Sequence, residues 1–520
     1  MKILLLAPGC TIWQYWIVIK TQNGWPEMNQ MLDEEYFGSD DAEQEIERLD
    51  RVAERRTWTT PQNRQIQLTI PPTVYPPRED TDLLAQVLHN YPEPRGKKLL
   101  DIGCGSGALS LFSAQIGFSV TACDINPFAV ASSRHSSEQN GLSIKVNEGG
   151  PGPQIDGDVC QWAGNQPHDV IIWNLPYLAP VKNSPHLGPL EEAALLDTDQ
   201  KGLVSRLLHH LQKSEILAKN GTVFLLVSQN EKSRTIRSTC IGSGFAIRSI
   251  SIKRFEDGEC LEVFALWRPF ERQEKMFEAE INSTNTFLLD SKEREGSFLQ
   301  AGRQLAGHGR RGRKWSHEDV AFAGSWVIQD SSLISSPGLL QLQGGLALHE
   351  AIESCCPTEE KTVLKWPNDA LLNISDELRK VGGVLVESAS RGKATRIILG
   401  IGCNIASKEQ KKSDYSLAAL NELNKDIKLS DFEKSIQAAV ASWFERKDDV
   451  NDVKRNAFLA NYLKVLESSL SLLGIPFYRG VEMTFEKIDY DGKITLKDGS
   501  KKSHLIEDGE HVIWSNYATN

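Results

Sequence analysis

Along most of its length the chain alternates short apolar runs with breaks rich in glycine, proline or charge, the pattern of strands interleaved with helices. The start carries little periodicity beyond a strand-like piece at Trp13, Tyr15 and Trp16. From Asp40 to Arg56 polar residues are interrupted by Ile46, Leu49 and Val52, which predicts a helix with one narrow apolar face. The prolines between Thr69 and Pro77 force extended backbone, and the acidic and Thr-containing stretch Arg78 to Leu84 opens a helix. Lys98 to Ile102 reads as a buried strand, followed by the loop Gly103 to Gly107 and an apolar helix from Ala108 to about Ile116. A second strand from Ser119 to Cys123 ends on Asp124, and a further one, Asp169 to Trp173, runs straight into Asn174-Leu175-Pro176-Tyr177. An amphipathic helix from Leu203 to Leu217, closed by Asn220-Gly221, precedes strands at Thr222 to Val227 and Cys260 to Trp267. In the second half, Ser283-Thr284-Asn285 before an apolar run is a helix N-cap signature, and Val363-Leu364 is a short strand. Near the end, Phe477 to Val481, Met483 to Phe485 and Lys493 to Leu496 alternate as short strands, with hairpin turns at Asp491-Gly492 and Asp498-Gly499.

Length and charge narrow the classes. At roughly 150 residues per domain, 520 residues suggest three or four domains. The 40% hydrophobic and 24% charged content is that of ordinary globular protein. A net charge of −11 argues against a general nucleic-acid binder, which neutralises phosphates with clustered Lys and Arg. Nine scattered cysteines without a Cys-x-x-Cys pair fit reduced thiols, with no disulfide framework and no metal site, and Cys355-Cys356 read as small half-buried residues near a helix end. Leu4-Leu5-Leu6 is stopped by Pro8, and nowhere do 18 apolar residues follow one another. A soluble, cytoplasmic protein without membrane contact is expected.

The first half carries a methyl-donor signature. A strand, a glycine-rich turn and a helix N-terminus form a nucleotide cradle, and an acid ending the second strand can accept from ribose hydroxyls. Dinucleotide enzymes space the glycines Gly-x-Gly-x-x-Gly; this loop is Gly-x-Gly-x-Gly headed by Asp101, the form seen with the cationic sulfonium of S-adenosylmethionine. In Asn174 to Tyr177, two acceptors, the Asn174 side-chain carbonyl and a backbone carbonyl, can hold both N–H groups of a planar nitrogen. Its lone pair then faces the methyl group while Tyr177 stacks on the plane. Positioning of this kind can lower a barrier by about 7–11 kcal/mol. The plain alternative for the tetrapeptide alone is a loop in which Pro176 and Tyr177 merely pack.

With Asp158-Val159 and the upstream Pro76-Pro77-Arg78-Glu79-Asp80-Thr81-Asp82-Leu83-Leu84, these motifs resemble the HemK-type N-methyltransferases over roughly residues 70 to 268. The resemblance implies a Rossmann-like α/β domain that binds S-adenosylmethionine through Asp101, Gly103, Gly105, Gly107, Asp124 and Asp158. Asn174, Pro176 and Tyr177 would be catalytic, and the acceptor a glutamine of a peptide-chain release factor. Leu175 stands where the family has a first proline, and the family's helical recognition domain is absent or reduced in residues 1–60. Asn-Leu-Pro-Tyr also occurs in ribosomal RNA adenine dimethylases. An adenine of RNA or DNA as acceptor, or a catalytically inactive docking module, therefore stays open.

The second half is organised around Gly307-His308-Gly309-Arg310-Arg311-Gly312-Arg313-Lys314-Trp315, three glycines and four basic residues that read as a mobile loop awaiting an anion. Taken alone it would pass for an RNA-binding patch. In order with Ser283-Thr284-Asn285, Gln304, Lys365-Trp366-Pro367-Asn368-Asp369, Lys380 to Glu387 and Gly402-Cys403-Asn404, it closely resembles the biotin protein ligases. That implies an α+β catalytic domain and a small SH3-like β-barrel, with biotin and ATP as substrates, Mg²⁺, and a biotin carboxyl carrier protein as acceptor. Lys380, Arg310 and Lys365 would be catalytic; Ser283, Thr284, Asn285, Gln304, Gly307, His308, Gly309, Arg311, Arg313, Trp315, Asn368, Asp369, Gly383 and Asn404 would bind biotin or ATP. His308 stands where the family usually has arginine. No helix-turn-helix precedes the ligase, so no operator DNA is expected; a homodimer is left open. The expected division is an N-terminal extension over 1–60, a methyltransferase over 61–268, a ligase catalytic domain over 275–472 and the barrel over 473–520.

Overall fold

The structure is a computed structural model that describes residues 52–152, 158–176, 202–229, 235–256, 260–313, 315, 318–331, 336–357, 362–392, 394–407 and 416–517. The strand-like piece at Trp13 to Trp16 and the helix expected from Asp40 as far as residue 51 lie outside these residues. The end of that expected helix is corrected: Glu54–Thr59 is a strand, β1, paired antiparallel with β2 (Gln65–Ile70). Alternation decides it, since Ile66, Leu68 and Ile70 of β2 are buried while their neighbours Gln65 and Gln67 are exposed.

Two compact units divide the chain, Met1–Ile236 with Ser249–Trp267, and Arg237–Arg248 with Arg268–Asn520. In the first, α1 (Glu79–His89) leads into β3 (Lys98–Ile102), α2 (Ala108–Ile116), β4 (Ser119–Asp124), α3 (Pro127–Gln139), β5 (Lys145–Glu148), α4 (Val159–Ala163) and β6 (His168–Asn174). Then follow α5 (Leu203–Lys213), β7 (Leu217–Ser228), β8 (Ala246–Arg254) and β9 (Cys260–Trp267), while α6 (Ile236–Gly242) from Arg237 on and the start of β8 as far as Arg248 belong to the second unit. The sheet order is β5-β4-β3-β6-β7-β9-β8. β3 runs parallel to β4 and β6, with Ile102 opposite Cys123 and Trp173. The glycine loop, Asp124 and Asn174 therefore meet at one edge, the carboxyl ends of three adjacent strands, where open α/β sheets bind ligands. The helix expected to reach Leu217 stops at Lys213 instead. Ser214 turns extended, and Leu217 joins the sheet opposite His168.

In the second unit, β10 (Lys275–Ile281), α7 (Thr284–Asp290), β11 (Phe298–Gln304), β12 (Val320–Ser331) and α8 (Pro337–Cys355) precede β13 (Thr362–Lys365), β14 (Asp369–Ile374), β15 (Glu377–Arg391) and β16 (Ala394–Ala406). Their order in the sheet is β10-β11-β12-β16-β15-β14-β13. The helices α9 (Leu429–Phe444) and α10 (Arg455–Leu473) follow. Arg248, buried, donates to the carbonyls of Ala441 (3.4 Å), Ser442 (3.0 Å), Glu445 (2.8 Å) and Asn451 (3.0 Å), and so closes the carboxyl end of α9. The last stretch forms a five-stranded sheet, β20-β19-β18-β17-β21, from β17 (Pro476–Tyr478), β18 (Val481–Ile488), β19 (Ile494–Asp498), β20 (Ser503–Ile506) and β21 (Val512–Trp514). Phe477 to Val481 is not one strand. Arg479 and Gly480 both take positive φ, 52° and 77°, and make a two-residue hairpin turn between Tyr478 and Val481.

Candidate active sites

The first unit holds a cleft of about 170 Å³ at the carboxyl edge of β3, β4 and β6. Gly103, Gly105 and Gly107 all have positive φ, so the backbone itself selects glycine here. A Cβ on Gly107 would also stand 2.8 Å from Ser133 Oγ. Asp124 Oδ2 accepts from Gly105 N and Oδ1 from Asn126 N, each at 2.8 Å, tying the glycine loop to β4. Asp101, which accepts from Ser110 Oγ at 2.5 Å, is pushed up to about 7, chiefly by burial. Burial raises Asp124 as well.

At the end of β6, Asn174 donates from Nδ2 to Asp80 Oδ2 at 2.8 Å. Its carbonyl Oδ1 is buried and has no hydrogen-bond partner among the described residues. The cleft gathers Asp101, Gly103, Gly105, Asp124, Asn174 and Pro176. Gly107 lies just behind it, and Tyr177 is outside the described residues. Asp158 is not among the residues that line the cleft; its carboxylate accepts from Cys160 N at 2.9 Å as the cap of α4. Thr73, Tyr75, Asp80 and Thr81 line the cleft without having been expected there. Asp80 and Thr81 belong to the motif that carries the resemblance, which gave them no role beyond opening a helix.

The second unit holds a cavity of about 270 Å³. At one end Ser283 caps α7, accepting from Thr286 N at 3.4 Å. Gln304 Oε1 accepts from Thr284 N (2.8 Å) and Thr284 Oγ1 (3.2 Å). Ser325 Oγ bridges Thr284 Oγ1 and Asn285 Oδ1, both at 2.6 Å, and Asn285 Nδ2 donates to Glu387 Oε2 at 2.8 Å. The other Glu387 oxygen meets His308 Nε2 at 3.2 Å. Burial alone would lower the His308 pKa, but Glu387 and the Ala306 carbonyl outweigh it and hold it above its ordinary value. The pairing with Glu387 favours the protonated ring at a position where the ligases usually have arginine. Gly400 makes room for Asn285, whose Oδ1 would lie 2.3 Å from a Cβ there.

In the same cavity Asp369 sits between two ammonium groups, Lys380 Nζ at 2.5 Å and Lys365 Nζ at 3.5 Å. Burial would raise its pKa; the charges of Lys380 and Lys365 outweigh that and hold it below the usual carboxylate range. The arginine loop is a tight turn, with a single 3₁₀ turn at Arg310–Gly312, and carboxylates of the C-terminal stretch hold it. Arg310 pairs with Asp508 at 3.2 Å, Arg311 with both Asp508 and Glu510, and Arg313 with Glu510 at 3.0 Å. Arg310, Arg313, His308, Gly309, Trp315, Asn368 and Gly383 line the cavity. Three expected residues do not: Gly307, Arg311, which is 57% exposed on the far side of the turn, and Asn404. The Asn404 amide is engaged in the fold, Oδ1 accepting from Glu318 N (3.1 Å) and Nδ2 donating to Ala418 O (3.0 Å). Ser325 carries no motif signal, and Asp508 and Glu510 are ordinary-looking acids nearly 200 residues along the chain from the loop they hold, at separations of 197–199.

Residues 278–404 match the model of the biotin/lipoate A/B protein ligase family, and residues 77–189 that of the small methyltransferase domain. The chain joins a methyltransferase domain to a biotin/lipoate-type ligase domain. The ligase domain is similar to a biotin–[acetyl-CoA-carboxylase] ligase of Paracoccus denitrificans, 29% identical over 39% of this chain and 84% of that protein. It is 32% identical to the bifunctional ligase/repressor BirA of Escherichia coli over 26% of this chain, spanning 41% of that protein. The methyltransferase domain is similar to a putative protein N5-glutamine methyltransferase of Methanocaldococcus jannaschii, 28% identical over 39% of this chain and 96% of that protein. No described helix is long and apolar enough to cross a membrane.

Proposed function

We propose that the ligase domain activates biotin with ATP and passes it to a lysine of a biotin carboxyl carrier protein. The observation that carries this reading is the convergence of Lys365, Lys380, Arg310 and Arg313 on one cavity whose far end is the polar chain from Thr284 to His308. In the first step the biotin carboxylate attacks the α-phosphate and pyrophosphate leaves. In the second the carrier's lysine amine attacks the acyl carbon and AMP leaves. Both steps crowd negative charge. Lys380 and Lys365 would neutralise the carboxylate and the phosphoryl oxygens, and Arg310 and Arg313 would clamp the phosphates while the turn keeps water from the adenylate. Asp369 would give up its lysines to these anions and be free for the carrier's amine or for Mg²⁺ brought by the nucleotide. Ser283, Thr284 and Gln304 would hold the biotin end. Biotin transfer from ATP, Mg²⁺ and biotin to a carrier domain tests the reading. Lys380→Ala should lower the rate by about 10²–10³-fold, and a variant as active as wild type would sink it.

For the methyltransferase domain we propose S-adenosylmethionine as donor and the side-chain amide of a release-factor glutamine as acceptor. The observation that supports it is the buried Asn174 Oδ1, an acceptor without a hydrogen-bond partner among the described residues, on a residue that lines the cleft. It is an acceptor waiting for an N–H, as a neutral planar nitrogen would offer. Adenine presents similar N–H groups, so labelled S-adenosylmethionine should be offered release factor, tRNA and rRNA in parallel. Label on RNA alone would overturn the glutamine assignment.

A further inference from the structure

We infer that Asp80 is a positioning residue of the methyltransferase cleft, fixing which end of the Asn174 amide faces the acceptor. The inference rests on the methyltransferase reading and goes beyond it. An asparagine amide is nearly symmetric in shape, and either its C=O or its NH₂ could point into the cleft. Only the first orientation accepts a hydrogen bond from a substrate N–H. The second would present two donors to a donor.

Asp80 removes the ambiguity by having nothing but acceptors to offer when ionised. It is 3% exposed. Its Oδ1 takes two donors from the next residue, Thr81 N at 2.6 Å and Thr81 Oγ1 at 3.1 Å. Arg78 N donates to Thr81 Oγ1 at 3.3 Å, which turns the hydroxyl proton toward Asp80. Oδ1 is thereby committed, and Oδ2 is left to face Asn174 at 2.8 Å. The Asn174 NH₂ must turn to Oδ2, so the carbonyl is the end left without a hydrogen-bond partner among the described residues, on a residue that lines the cleft.

The logic makes one isosteric change informative. In Asp80→Asn the backbone N–H of Thr81 still demands an oxygen, so the new NH₂ replaces Oδ2 and confronts the Asn174 NH₂. Asn174 relieves the clash by flipping, and then shows its NH₂ to the cleft. Adding Asn174→Asp to Asp80→Asn restores the pattern. One oxygen of the introduced carboxylate accepts from the introduced amide, and the other faces the acceptor. A carboxylate that served only the first turn of α1 would respond differently. Its loss would lower stability and leave turnover alone, and a second change at position 174 would only make matters worse.

The test measures methyl transfer from labelled S-adenosylmethionine by the full chain, with release factor and RNA as parallel acceptors. Asp80→Asn should lower kcat about a hundredfold with cofactor affinity unchanged, and the double variant should recover roughly tenfold or more of that loss. An Asp80→Asn chain that turns over within about threefold of wild type, or a folded double variant no better than the single one, overturns the inference. A crystal structure of Asp80→Asn at about 1.2 Å or better decides it independently: Asn174 flipped supports it and Asn174 unmoved rejects it. Wild type that methylates none of the acceptors would instead sink the methyltransferase reading, leaving the crystal structure to decide the orientation.

Discussion

Asp101 shows how one carboxylate ties binding to pH. Burial raises its pKa to about 7, so the folded chain favours its neutral form. The stability linked to that proton is fully present below the ordinary carboxylate value near 3.8 and is lost as pH rises through about 7. Binding has the opposite sign, because a cationic cofactor in the cleft favours the ionised form. Affinity for S-adenosylmethionine should therefore rise by up to about tenfold per pH unit toward pH 7 and level off above it, with proton release visible in calorimetry in buffers of different ionisation enthalpy. Flat affinity from pH 5.5 to 8 would refute this. His308 gives the contrary slope. Its pairing with Glu387 is present at low pH and is lost as pH rises past a pKa held above the ordinary ~6.5. Biotin adenylation, followed by pyrophosphate release, should fall on the alkaline side in wild type and hold in His308→Arg. Motifs brought Lys380 and Asn174 to attention, and both lie in the lining of a cavity, while their roles remain those proposed above. The partners of Asp80, and Ser325 and Glu510 altogether, were not legible, because an acid or a serine acquires its role only from what the fold sets opposite it.

Individual elements carry the next constraints. Strand β16 holds Gly400 and Gly402 against Asn285 and Trp315, and a Cβ at either would come within 2.3 Å and 2.6 Å of those side chains. Gly400→Ala should cost about 1–3 kcal/mol in overpacking, read as a lower midpoint in urea, and should also loosen Asn285 and so weaken biotin binding. Elements with a strong local signal were readable to the residue: β3, α2 and β9 fall where periodicity and glycine put them. Those misread were decided by tertiary pairing. Leu217 was captured by the sheet against the helical pattern, and Arg479-Gly480 turned because Tyr478 and Val481 pair. The arginine loop shows both limits. Its composition announced an anion site, but nothing local announced that Asp508 and Glu510 would pair with its arginines. Replacing both, Asp508→Asn with Glu510→Gln, should free the arginines and tighten ATP binding severalfold at low salt. The gain should shrink as salt screens the native pairs; unchanged affinity at every salt concentration would argue against competition.

On the scale of the whole molecule, order of motifs was the strongest guide. Two sets of motifs in series implied a Rossmann-like α/β domain followed by an α+β ligase domain, and the described residues hold two seven-stranded sheets, with a five-stranded sheet where a small barrel was expected. What motif order could not convey is that Arg237–Arg248 belongs to the second unit although it precedes β9. Arg248→Met should lower the stability of that unit by about 2–3 kcal/mol, since the carbonyls at the end of α9 lose a charged donor. A separate melting transition for the ligase domain, read by its biotin-dependent shift, would report the loss. For anyone dividing the gene the meaning is practical. A reading frame opened at Arg268 would encode every ligase motif and still leave Ala441, Ser442, Glu445 and Asn451 facing water. The boundary suggested by the alphabet of motifs is thus not a place where the protein comes apart, and a donated ligase domain would have to carry a short passage of its neighbour's text.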